Sequence, residues 1–129
     1  AMEAGTALVD LATLDPQSLP AAPSITAITL AELSVGPLVA RTVTEASARQ
    51  AHLQQAEADF EPIPFDAAAA RAFGRVSASL RASGRKPAAR AYDALIAAVA
   101  ISRGLPVYTT SPDDFAEIDD LDVHVVRRA

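Results

Sequence analysis

Three acidic residues of this chain, Glu32, Asp93 and Asp113, fall where helices and strands begin or end. Carboxylates brought together repel one another unless one is protonated or a cation neutralises them. A group of oxygen ligands with no Cys and no neighbouring His selects a hard divalent ion, Mg2+ or Mn2+. Such an ion polarises a phosphoryl oxygen and lowers the pKa of a bound water, which supplies the nucleophile for phosphodiester hydrolysis without a covalent enzyme intermediate. The trio therefore points to metal-dependent hydrolysis of a nucleic acid. Each acid also has a plain structural reading. Glu32 completes the Ser/Thr-x-x-Glu pattern of a capping box with Thr29, and Asp93 is a favourable charge at a helix N-terminus. Asp113 and Asp114 follow Ser111-Pro112, a common turn composition. His52, in a polar helical run, and His124, in the last strand, have no partner at ligand spacing and read as structural.

The order of elements is what brings the trio to one place. Ser24 to Ile28 is β-prone, and Thr29-Leu30-Ala31-Glu32 opens a helix that stops near Gly36-Pro37. From Thr44 to about Asp59, Ala48, Ala51, Leu53 and Ala56 form a weak apolar stripe that Glu61-Pro62-Ile63-Pro64-Phe65 breaks. A further helix starts at Asp66, carries Ala69, Phe73, Val76 and Leu80 on one face, and ends at Ser83-Gly84. Ala91 to Arg103 is a very apolar helix closed by Gly104. Leu105 to Thr109 reads as a buried strand, Ser111 to Phe115 as a turn and Val123 to Val126 as a final short strand. Ahead of all these, Thr6 to Leu11 is a brief strand or helix stub ending in the turn-rich Asp15-Pro16-Gln17-Ser18-Leu19-Pro20. Alternating strands and helices imply an α/β domain with a mainly parallel sheet flanked by helices. In such a sheet the binding site lies at the C-terminal ends of the strands. Glu32 follows the strand Ser24–Ile28, Asp113 follows Leu105–Thr109, and Asp93 opens the helix that runs antiparallel to that strand, so all three reach the same edge.

Composition narrows the field. A chain of 129 residues fits one domain, here residues 1–129 with a first strand that is short or truncated. Half the residues are hydrophobic but only 5% are aromatic, so Ala, Leu, Val and Ile must fill the core. The absence of Cys removes disulfides, thiolate metal sites and Cys nucleophiles, and suits a reducing compartment. With no apolar run of about 18 residues and no signal-peptide pattern, a cytoplasmic protein without a membrane partner is expected. The formal charge of −5 argues against indiscriminate coating of nucleic acid. Arg81, Arg85, Lys86 and Arg90 form the strongest basic cluster, placed to hold RNA phosphates beside the metal or to complement the end of the preceding helix.

At these residues the sequence resembles the PIN-domain family, and within it the VapC-like toxins of type II toxin–antitoxin systems. Ser24-Ile25-Thr26-Ala27-Ile28-Thr29-Leu30-Ala31-Glu32-Leu33 is similar to the family's second motif, whose Glu is an active-site acid. Tyr92-Asp93-Ala94-Leu95-Ile96-Ala97-Ala98 resembles the third, and Gly104 to Thr110 the strand after it. In the fourth motif the family's Asn or Asp is replaced by Ser111, which passes the acid function to Asp113, with Asp114 and Ser111 as alternatives. At the N-terminus, matching the family's apolar run to Ala7-Leu8-Val9-Asp10-Leu11 puts Ala4 where the first catalytic Asp belongs. The resemblance implies a PIN-like fold and a Mg2+-dependent endoribonuclease in which Glu32, Asp93 and Asp113 are catalytic, metal-holding acids. It further implies a homodimer, and a VapB-type antitoxin whose C-terminal segment lies across the groove. A second reading is an interaction module that has lost catalysis but keeps its dimer and antitoxin surfaces. A phosphoacceptor receiver domain would need adjacent acids ending its first strand and a strand-end Lys, whereas the only Lys is Lys86, in a link. The missing first Asp implies weak cleavage or none. An inactivating substitution or shortened start explains it better than a one-residue slip installing Glu3 or a role for Asp10.

Overall fold

The computed structural model describes Glu3–Gly5, residues 23–85 and residues 91–126. The apolar stretch Thr6–Leu11 with Asp10, the turn Asp15–Pro20, and the two basic residues Lys86 and Arg90 lie outside these. Eight elements follow in order: β1 (Glu3–Gly5), β2 (Pro23–Ser24), α1 (Ala27–Val35), α2 (Val43–Asp59), α3 (Ala67–Ala82), α4 (Ala91–Arg103), β3 (Val107–Thr109) and β4 (Val123–Val125). The strands pair in the order β2-β1-β3-β4, and every neighbouring pair is parallel. The expected α/β architecture with a parallel sheet is therefore present.

Because successive residues of a strand face opposite sides, β3 feeds two cores. Val107 enters one made by α3 and α4, with Val76, Leu80, Ile96, Phe115 and Ile118; Tyr108 packs on the other, with Ile25, Leu33, Ala56 and Val126. Ala94, Ala97, Ala98 and Ala100 of α4 are all fully buried, as the aromatic-poor composition required, and their small side chains let α4 pack closely on its neighbours. Both α3 and α4 end in Schellman closures. Gly84 and Gly104 adopt φ of 84° and 64°, a conformation only glycine takes cheaply, and the following amides, Arg85 and Leu105, donate to Leu80 and Ala100.

The start of α1 differs from the sequence expectation. The β-prone run Ser24–Ile28 is not a strand throughout, since β2 stops at Ser24 and the helix begins at Ala27. Thr26 is the N-cap, its hydroxyl accepting from the Thr29 amide at 3.0 Å, while the Thr29 hydroxyl turns back onto Thr26 Oγ1 at 3.1 Å. Capping thus overrides β propensity three residues earlier than the pattern Thr29-x-x-Glu32 suggested. The backbone around the cap is satisfied by the loop after α2: the Ile63 amide donates to Ile25 O at 2.9 Å and the Ala27 amide to Ile63 O at 2.8 Å. Smaller shifts trim the other two strands: Leu105 is spent in the α4 closure, so β3 begins at Val107, and β4 ends at Val125.

Thr26 is fully buried, so replacing it by Ala removes both the cap and the partner of the Thr29 hydroxyl. Thr26→Ala is expected to lower unfolding stability by about 1–2 kcal/mol in urea titration, with helix content retained below the transition.

Candidate active site

The shift in register of α1 decides what Glu32 can be. Glu32 stands in the second turn of the helix, beyond reach of the N-cap, so the capping-box reading falls away. The side chain is half-buried at the α1–α4 contact. Asp93, in the first turn of α4, stands close enough for its charge to act on it. The Glu32 carboxyl is accordingly held above the usual carboxylate range, by burial first and by the charge of Asp93 second. Parallel topology explains the meeting: α1 leaves the C-terminal end of β2, and α4 runs back to begin at the same edge before β3.

Asp113 is placed differently. Thr109 ends β3 with its hydroxyl accepting from the Ser111 amide at 3.0 Å, and a 3-10 turn over Pro112–Phe115 follows, anchored by the buried Phe115. In that turn Asp113 is exposed while Ser111 and Asp114 are half-buried. Among the described residues, no three His, Asp or Glu side chains are arranged to hold a metal ion. The expected convergence of three acids is thus a close pair, Glu32 and Asp93, with Asp113 standing apart because the turn that buries Phe115 leaves it in solvent. Of the basic cluster, Arg81 is exposed in the last turn of α3. Arg85 reaches over to the Asp113 loop, its Nη1 donating to the Asp113 carbonyl at 3.5 Å.

Ala4 sits inside β1, its backbone in register with Ser24 on one side and Val107 on the other. Glu3 lies one row further from the C-terminal edge, beside Pro23. Sequence reading gave Arg49 no role and took His52 as structural, yet both lie near Glu32. Arg49 and His52 of α2 line one cavity with Glu32, Leu33 and Gly36. Their three-residue spacing marks a common helix face, but only the α1–α2 packing tells which residues that face meets.

Residues 10–121 match the PIN domain family. The chain belongs to the PIN-domain family. This PIN domain is 45% identical over 106 residues to Ribonuclease VapC5 of Mycobacterium tuberculosis, covering 82% of this chain and 76% of that protein. A crystal structure of VapBC-5, a toxin–antitoxin family member from the same organism, matches it with a TM-score of 0.82 and 41% identity over 98% of both chains. DNA-bound VapBC from Salmonella typhimurium matches with a TM-score of 0.74 at 23% identity, over 97% of this PIN domain and 98% of that chain, which shows a shared fold. The family match starts at residue 10, beyond Ala4.

The raised proton affinity of Glu32 has a testable sign. A carboxyl whose folded pKa exceeds its unfolded value binds protons more readily in the native state, so stability falls as pH rises from the unfolded pKa through the raised one. Once the pH has risen through the raised pKa, keeping Glu32 charged is therefore a cost to the metal-free chain. Glu32→Gln is expected to raise the melting temperature at pH 7 in the presence of a chelator and to leave it unraised at pH 4; calorimetry at the two pH values checks this.

Proposed function

We propose that this PIN domain is a metal-dependent endoribonuclease toxin of the VapC kind, restrained by a VapB-type antitoxin. The observation that carries the reading is the Glu32–Asp93 pair at the C-terminal edge of the sheet. It is supported by 45% identity to a protein named a ribonuclease and by the match to a VapBC structure. Glu32 and Asp93 would hold the ion. Mg2+ is commonly bound through one or two carboxylates, with waters and substrate phosphates completing its shell, so the pair suits it without a third side chain. When bound, the ion supplies charge stabilisation at phosphorus and an acidified water.

The chain's own residues have separate tasks in this reading. Glu32 and Asp93 fix the site against the rigid ends of α1 and α4. Asp113 is an outlying acid that would serve after its loop closes on substrate, and Arg85 beside it would meet RNA phosphates together with Arg81, Lys86 and Arg90. For the antitoxin, the exposed apolar side chains Val35, Leu38, Val39 and Val43 frame the turn between α1 and α2, with Leu38 85% and Val43 84% exposed. Of these, Val43 lines an open groove of about 480 Å3 along α2, together with Pro37, Ala46 and Gln50. Exposed apolar patches of this kind mark partner surfaces. Homodimer assembly belongs to the same proposal.

A second reading, a domain with weakened catalysis, is favoured by Ala4. In the family pattern an acid occupies that place on the first strand, and a methyl offers no ligand oxygen. The site then keeps two close acids and loses a group that fixes the ion's geometry. A misplacement of about 1 Å can cost roughly a hundredfold in rate.

The two readings are separated by cleavage of single-stranded RNA in Mg2+. The parent chain is expected to cut slowly, Ala4→Asp to cut about a hundredfold faster, and Asp93→Asn to cut at neither rate. Strong cleavage by the parent chain that Asp93→Asn leaves untouched would refute the metal-acid assignment. Strong cleavage abolished by Glu3→Gln would install Glu3 as the first acid.

A further inference from the structure

The cavity shared by Glu32, Leu33, Gly36, Arg49 and His52 measures about 140 Å3. At roughly 30 Å3 per water, that is the space of about four or five waters, enough for one phosphate group. Its α2 wall is cationic and set in place. Arg49 Nη1 donates to the Gly36 carbonyl at 2.9 Å, and its other terminal nitrogen is ion-paired with Glu45 one turn earlier. The stem of Arg49 lies along bare Gly36, where an added Cβ would meet Arg49 Cδ at 3.3 Å. A guanidinium has five N–H donors, so these contacts leave donors to spare. His52, three residues on, is half-buried, and its ring has no hydrogen-bond or ion-pair partner among the described residues.

Stapling the end of α1 to α2 accounts for Arg49 alone. It does not account for an unpartnered imidazole on the same wall, facing a cavity whose opposite side carries one of the paired acids. A charge-bearing planar donor and a second ring N–H donor, lining one cavity with the Glu32 carboxylate, suit a group that binds cations on one side and donors on the other. A phosphodiester is such a group.

We propose that Arg49 and His52 form a phosphodiester-binding subsite, gripping non-bridging oxygens of the RNA backbone beside Glu32 and Asp93. The identity of the ligand rests on the ribonuclease reading above; the existence of the subsite does not. In this arrangement a Cβ at Gly36 would crowd the Arg49 stem, which would have to give by a few tenths of an ångström. Arg49 and His52 bind substrate from the helix opposite the acids, while Arg81 and Arg85 bind it from the far side of the sheet edge.

The test uses the full chain in a chelator-containing buffer, with a ten-nucleotide single-stranded RNA as probe and inorganic phosphate as a second probe. The chain has only two histidines, His52 and His124, so their ring signals are readily told apart by NMR. The RNA is expected to move the His52 Cε1–H signal saturably and to leave that of His124, on β4, in place. His52→Leu should weaken RNA binding about tenfold, the loss of one hydrogen bond to a charged group, at an unchanged melting temperature. Arg49→Leu should weaken it at least as much but also loosens α1, so His52→Leu decides. An unmoved His52 signal, equal movement of both histidines, or parent-like affinity in His52→Leu would overturn the subsite. Response to phosphate but not to RNA would overturn its assignment to a phosphodiester. If RNA moves His52 while neither the parent nor Ala4→Asp cuts RNA in Mg2+, the subsite stands and the ribonuclease reading falls; cleavage with an unmoved His52 gives the reverse.

Discussion

Glu32 and Asp93 repel each other across a half-buried gap, and the rest of the domain has to supply the free energy that holds them there. It does so with packing. Asp93 rides on α4, whose residues Ile96 and Val99 are essentially sealed from solvent and would each cost on the order of 1–5 kcal/mol to truncate. Glu32 rides on α1, fixed at one end by the buried Thr26 cap and the Ile25–Ile63 backbone pairing, and near the other by Arg49 on the Gly36 carbonyl. Neither helix can move apart from its neighbour without opening a core. Packing therefore keeps the two carboxyls together, and the charge of Asp93 adds to the burial that raises the proton affinity of Glu32.

Much of this arrangement was legible in the sequence because it depends on helix ends, and helix ends have strong local signals. Asp66 as the start of α3, Gly84 and Gly104 as the ends of α3 and α4, and the apolar run of α4 all sit where the residue pattern put them. The start of α1 did not, because Thr26 and Thr29 are both competent caps and only the pairing of Ile25 with Ile63, a contact across 38 positions of sequence, selects the first. That selection moved Glu32 from the first turn to the second and removed its structural explanation. Asp113 was placed correctly in its loop but not in the acid pair, since the direction of a 3-10 turn follows from where Phe115 finds its core. Arg49 and His52 carried no signal of their own. Their meeting with Glu32 is a product of helix packing, which one-dimensional spacing does not encode.

The electrostatics of the chain also gain a rationale. A domain of net charge −5 is poorly suited to bind a polyanion by general attraction. Some of its cations are instead held at particular points: Arg85, at the end of α3, on the Asp113 carbonyl, and Arg49, on α2, on the Gly36 carbonyl. Local placement of this kind favours engagement of a phosphate at the site over coating of nucleic acid elsewhere. The turn between α1 and α2 is apolar and exposed, and its Gly36 lines the same cavity as Glu32.

The central claim is that the Glu32–Asp93 pair holds a divalent cation, and Mn2+ tests it most directly because the ion can be located by its own anomalous scattering. Crystals soaked in Mn2+ are predicted to show an anomalous peak within ligand distance, about 2.0–2.3 Å, of carboxylate oxygens from both Glu32 and Asp93, and to lose it in Asp93→Asn. A peak elsewhere, or none at Mn2+ concentrations that saturate the protein in solution, would contradict the account.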